Sequence, residues 1–203
     1  RSPALLAKTA ASLDAISNGR VELGVGLGWQ EEEYEASGIP FDQRVKTFWE
    51  TLDICQSLWT GGPVSHKGEI FEFNDIWCHP TPPQGSDIPL LFGVKMTEFN
   101  AQKIAKIGHG WIPIKTSRDF ISEGSEKLNN AFKEAGRDDK PRIRGQLPTC
   151  VDSNGVPSVE LTLKELEKSM EAGLEEIEVF PINFAQSPDH LREVLELIGE
   201  LKK

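Results

Sequence analysis

The chain has 203 residues, is 38% hydrophobic and 27% charged, and carries a formal net charge of -10. That balance suits a globular domain with a sizeable core. It excludes a basic nucleic-acid face, and no apolar run approaches the ~20 residues of a membrane-spanning helix.

The elements follow in chain order. Pro3 suits a first helical turn, and Leu6, Ala10, Leu13 and Ile16 recur at helical spacing, so a helix is predicted over 3–17. Ser17-Asn18-Gly19 ends it with residues that tolerate the left-handed region. A strand is predicted at 21–27. Val21, Leu23, Val25 and Leu27 alternate with Glu22, Gly24, Gly26 and Gly28, which leaves one face nearly bare of side chains. Three glycines weaken a strand, and a bare face lets another group approach the backbone closely. Glu22 shares that face and is expected to be a buried, paired carboxylate.

A short helix begins near Gln30, its start favoured by Glu31, Glu32 and Glu33. Consecutive helical residues do not share a face, so this acidic run reads as solvated rather than as a metal site. Gly38-Ile39-Pro40 breaks it, and a helix over about 43–60 carries Val45, Phe48, Trp49, Leu52, Cys55, Leu58 and Trp59 at core spacing. Residues 64–88 read as an insertion loop with a hint of a hairpin at Val64, His66, Ile70, Phe71 and Phe73. Long loops of this kind often act as lids or binding loops. A strand at Leu90–Val94, a helix at about 97–108 and a short strand at Trp111–Ile114 follow. Then come a helix at about 118–136, a strand at Ile143–Leu147, a helix at about 160–172, a strand at Glu176–Phe180 and a last helix at about 188–202.

Strands separated by helices give α/β with a parallel sheet. Five strands suffice for an open doubly wound sheet. A (β/α)8 barrel would lack three βα units, about 80–90 residues. The glycines do not match a dinucleotide fingerprint, because Trp29 stands where the third glycine belongs and the glycines lie inside the strand. Cys55, Cys78 and Cys150 are too far apart for a disulfide framework or a metal pattern, so reduced thiols in the cytoplasm are expected. His66, His79, His109 and His190 are equally scattered, and neither H-E-x-x-H nor G-x-S-x-G occurs. The sequence opens at Arg1 inside a helical periodicity, which leads to the expectation of sequence before it.

Several stretches together resemble the bacterial luciferase-like monooxygenases, including their deazaflavin-dependent members. These are Arg1-Ser2-Pro3 with Leu6-Ala7-Lys8, Leu13-Asp14-Ala15-Ile16-Ser17-Asn18-Gly19-Arg20, Leu23-Gly24-Val25-Gly26-Leu27-Gly28-Trp29 with Glu33, Gly38-Ile39-Pro40-Phe41 with Arg44, and Leu58-Trp59-Thr60. The resemblance implies a TIM-type barrel, here a partial one of about five βα units in a single domain, with Arg1 near the end of the third strand and the first three strands missing. It implies a flavin (FMN) or a deazaflavin (coenzyme F-420) at the C-terminal strand ends, with the GVGxGW form leaning toward the latter. It further implies a small-molecule substrate and, as the family often dimerises, a homodimer.

By that resemblance the cofactor lies against Gly26, Gly28 and Trp29 at one strand end, and against Gly93, Val94, Lys95, Met96 and Thr97 at the next. Many members have a small polar run at the second position. Here Lys95 would supply a cation and Thr97 a hydroxyl. His109 replaces an acid in Gly-His-Gly-Trp and reads as a turn residue, while Trp111 reads as core. Two other classes stay open: a degenerate barrel that only binds a ligand, and a Schiff-base lyase using Lys95 or Lys115. No catalytic acid or base is identified.

Overall fold

Ser2 places its hydroxyl 3.4 Å from the Leu5 N–H and opens helix α1 (Pro3–Ser17), which closes on Asn18 at φ 57°. The computed structural model describes residues 2–185 and 187–200, so Arg1 and the end of the last predicted helix lie outside the described residues. The chain forms two compact units, Arg1–Gly93 and Val94–Lys203.

In the first unit, β1 (Leu23–Gly26) is followed by α2 (Glu31–Ala36), α3 (Arg44–Leu58), β2 (Val64–Lys67), β3 (Glu72–Ile76) and β4 (Leu90–Gly93). β1 and β4 pair in parallel, from Leu23 opposite Leu90 to Gly26 opposite Gly93. β4 is a continuous apolar run because parallel strands are covered on both faces, and Leu90, Leu91 and Phe92 are fully buried. Trp49 stacks on Phe92 at 5.4 Å, and the Trp59 indole N–H donates to the Ala7 carbonyl at 3.0 Å, which ties α3 to α1.

The buried face of α1 is Ala7, Ala10, Ala11 and Asp14, while Leu13 and Ile16 are exposed. The helix has its predicted bounds, and its small side chains let α3 approach closely while Leu13 and Ile16 stay exposed. Asp14 is a buried carboxylate with every contact satisfied. It accepts from the Val21 N–H (3.2 Å), the Gln84 N–H (3.0 Å) and the Gln84 side-chain amide (2.7 Å).

The insertion at 64–88 does contain a hairpin, β2 antiparallel to β3. Glu50 of α3 anchors it, accepting from Phe71 N–H (2.8 Å) and Ile70 N–H (3.1 Å) and meeting His66 Nε2 at 3.0 Å. Burial pushes the Glu50 carboxyl up. The Phe71 and Ile70 amides and His66 outweigh that and hold it below the usual carboxylate range.

In the second unit, α4 (Glu98–Ile107), β5 (Gly110–Trp111), α5 (Arg118–Glu134), β6 (Arg142–Gln146), α6 (Val159–Glu171), β7 (Glu176–Glu178) and α7 (Pro188–Glu200) alternate. β5 pairs with β6 and β6 with β7, both in parallel. The strand predicted at Trp111–Ile114 stops at Trp111, since Pro113 has no N–H for a ladder. Trp111 is fully buried; its indole donates to the Val94 carbonyl at 2.8 Å, and Gly124 of α5 leaves room for its ring. Arg142 and Arg144 share one face of β6 and pair with Glu176 of β7; Arg142 at 2.5 Å, more than Arg144, holds that carboxyl below its ordinary range. Among the described residues no helix is long and apolar enough to cross a membrane.

Candidate functional site

The end of β1 is built from residues that lack side chains. Gly26 stands opposite Gly93, and a Cβ at Gly26 would lie 3.2 Å from the Gly93 carbonyl oxygen. That is too tight for an unshifted strand pair. Gly24, Gly26 and Gly28 are all exposed, so the bare face is open along its length. Gly28 takes φ +71°, in the region that favours glycine, and turns the chain toward α2. Trp29 then presents an indole that is 81% exposed. Glu22 is also exposed rather than buried; it lies on the same open face, and burial would require that face to be covered.

Around this strand end the first unit has a cleft of about 470 Å³. It is lined by Gly24–Gly28, by residues of α2 and α3, and by Leu6 of α1. Tyr34 of α2 donates its hydroxyl proton to the Leu27 carbonyl and meets the Phe41 ring edge-on at 5.3 Å. Arg44 lies 3.9 Å from the centroid of the Phe41 ring and donates from Nη1 to the Phe41 carbonyl at 2.9 Å.

Arg44, Thr47, Phe48, Thr51 and Leu52 all line the cleft. Apart from Arg44 as part of a family string, sequence reasoning did not single them out as a site. Their spacing of i, i+3, i+4, i+7 and i+8 marks one helix face, and a cation and two hydroxyls on an otherwise apolar stripe was the signal available.

The remaining predicted site residues belong to the second unit. Val94 and Met96 are buried. Lys95 is exposed, and its carbonyl accepts from the Asn100 amide at 2.9 Å. Thr97 caps α4, its hydroxyl accepting from Asn100 N–H at 3.2 Å. That hydroxyl keeps a proton to donate. With the first-turn N–H groups and Lys95, the start of α4 suits an anion, offset by Glu98 in the same turn.

Other chemistries find little here. Lys115 is exposed, 5.8 Å from the Phe120 ring centroid, without the desolvated pocket that a Schiff-base lysine needs. Burial pushes the Cys55 thiol up to about 12 with a smaller push from Cys78, and burial also raises Cys78 against the pull of Lys8, so neither is poised as a thiolate. Among the described residues no group of three or more His, Cys, Asp or Glu could hold a metal ion, and Glu31, Glu32 and Glu33 are exposed at the start of α2.

Comparison with known proteins adds to this geometry. The family described as luciferase-like monooxygenase matches residues 1–163. An uncharacterized protein of Mycobacterium tuberculosis is 39% identical over 142 residues, covering 70% of this chain and 49% of its own length. Pyrimidine monooxygenase RutA of Yersinia enterocolitica is 30% identical over 149 residues, covering 67% of this chain and 38% of its own. The chain thus spans about half the length, or less, of these curated relatives. A solved structure, the coenzyme F420 dependent tetrahydromethanopterin reductase from Methanopyrus kandleri, superposes with a TM-score of 0.72 at 16% identity, over 96% of this chain and 77% of that one. That likeness shows a shared fold.

Proposed function

Because the chain belongs to the luciferase-like monooxygenase family, we propose that it is part of a flavin- or deazaflavin-dependent oxidoreductase built as a partial (β/α)8 barrel and acting on a small organic molecule. The observation that carries this reading is the open glycine face of β1, with Gly26 opposite Gly93 at the strand ends. A flat ring needs backbone without Cβ atoms to come close, and these positions supply it.

The residues fit such a group. In the first unit Gly26, Gly28 and Gly93 would leave room at the backbone and Trp29 would offer an apolar surface. Taken by itself, the start of α4 in the second unit, with Lys95 and Thr97, suits an anionic group. When bound, a reduced flavin or deazaflavin supplies hydride, and a flavin also supplies oxygen activation. The chain's own contribution is binding, orientation and exclusion of water. Both chemistries occur among similar proteins: RutA is a monooxygenase, and the fold neighbour from Methanopyrus kandleri depends on coenzyme F420. A homodimer in the cytoplasm is the setting proposed.

The test is a fluorescence titration of the purified protein with riboflavin phosphate and with the deazaflavin, each oxidised and reduced. Saturable binding of either supports the reading, and binding of neither sinks it. A second reading is a chain that binds a ligand but does not turn over. Binding without hydride or oxygen transfer over a substrate panel would select it.

A further inference from the structure

Arg44 is a charged group that the cofactor reading leaves unused. It opens α3, is half-buried, and lines the cleft at the end of β1. Its guanidinium is fixed on one side by the Phe41 ring and the Phe41 carbonyl. Among the described residues no carboxylate forms an ion pair with it; Glu33 lines the same cleft but does not pair with it. One of its five N–H donors has a partner, and a partly desolvated guanidinium favours acceptors for the rest. Beyond it, Leu6, Phe48 and Leu52 supply apolar lining, interspersed with the Thr47 and Thr51 hydroxyls.

We propose that this cleft binds an organic anion, a carboxylate or phosphate monoester carried on an apolar body, with Arg44 taking the anionic group and the face of α3 taking the body. The guanidinium fork matches both oxyanions, and a volume of about 470 Å³ is that of a small-molecule pocket. The fixed orientation of Arg44 against Phe41 spares the ligand the entropy of ordering a long side chain. Glu33 works against the anion and sets a limit on its affinity.

Two sources share this chemistry. The anion is either a carboxylic substrate or the phosphate of riboflavin phosphate. The carboxylate case stands apart from the cofactor reading, and the phosphate case rests on it. Calorimetry on the full chain separates them by comparing octanoate with octanol, and riboflavin phosphate with riboflavin. The expected result is that at least one anion binds about tenfold more tightly than its neutral analogue. Arg44→Met should abolish that preference while leaving the neutral analogue's affinity in place, and Arg44→Lys should restore part of it. Since Arg44 also steadies Phe41, Glu33→Gln, an exposed change, provides a variant that leaves this packing alone. It should strengthen the anion's binding.

A preference confined to octanoate identifies a carboxylate ligand, and one confined to riboflavin phosphate identifies the phosphate. Equal binding of anion and neutral analogue in both pairs overturns the proposal, as does a preference that survives Arg44→Met. Riboflavin binding without any anion preference removes this inference and leaves the cofactor reading standing. An Arg44-dependent octanoate site in a protein that binds no isoalloxazine does the reverse.

Discussion

A methyl group at Gly26 would sit 3.2 Å from the Gly93 carbonyl oxygen, which is backbone and cannot swing aside. Gly26→Ala should therefore shift the β1–β4 pairing, costing about 1–3 kcal/mol of stability as overpacking does, and weaken cofactor binding about tenfold. Thermal unfolding and the fluorescence titration read the two effects separately. Trp29→Ala is the counterpart. With 81% of the residue exposed, its loss should change stability by less than about 0.5 kcal/mol. A fall in cofactor affinity would then come from the contact alone. The glycine spacing was legible because alternation is a local property of a strand. The fate of Glu22 was not: alternation says which face a residue shares, and only the surrounding fold says whether that face is covered.

At the scale of elements, the Glu50 carboxylate joins α3 to the β2–β3 hairpin through two backbone N–H groups and His66. Glu50→Gln leaves an amide that cannot accept at every one of those points, and should cost about 1–3 kcal/mol in unfolding free energy. The pH dependence has a definite sign. The folded carboxyl lies below its unfolded value, so its stabilisation is complete above the ordinary carboxylate range and is lost as pH falls through the folded value. Melting temperatures recorded from about pH 6 down to about pH 3 should fall more steeply for the parent than for Glu50→Gln. None of this was visible in the chain. The helices and the hairpin announced themselves by periodicity, but Glu50 and Phe71 are 21 residues apart and nothing local links them. The same holds for Asp14 and Gln84, a contact across 70 residues that ties the 64–88 insertion to α1. In α1 the apolar period marked the helix but not its buried face, which is the one whose small residues allow the closest approach.

For the whole molecule, a ligand that binds only the folded chain raises its stability by mass action. Riboflavin phosphate or the deazaflavin at 100 times its dissociation constant should add about 2.7 kcal/mol. A melting temperature that stays flat with ligand concentration would count against the proposed function. Ile16, 84% exposed on α1 beside the exposed Leu13, should promote self-association, and Ile16→Lys should reduce light scattering at raised protein concentration. The alternation of strand and helix was readable across the chain, since each element carries its own period and its own caps. The division after Gly93 was not, because Leu90–Val94 reads as one uninterrupted apolar run with no linker composition.

Tyr34 reaches back across Gly28 to the Leu27 carbonyl, and it is the chain's only tyrosine. The protein therefore carries an intrinsic, single-site spectroscopic label. Tyrosine isotope-labelled only at the ring ε positions would report, through a single residue, whether α2 stays latched to the strand end. A displaced signal on adding octanoate or riboflavin phosphate would locate the event at this strand end without any engineered probe.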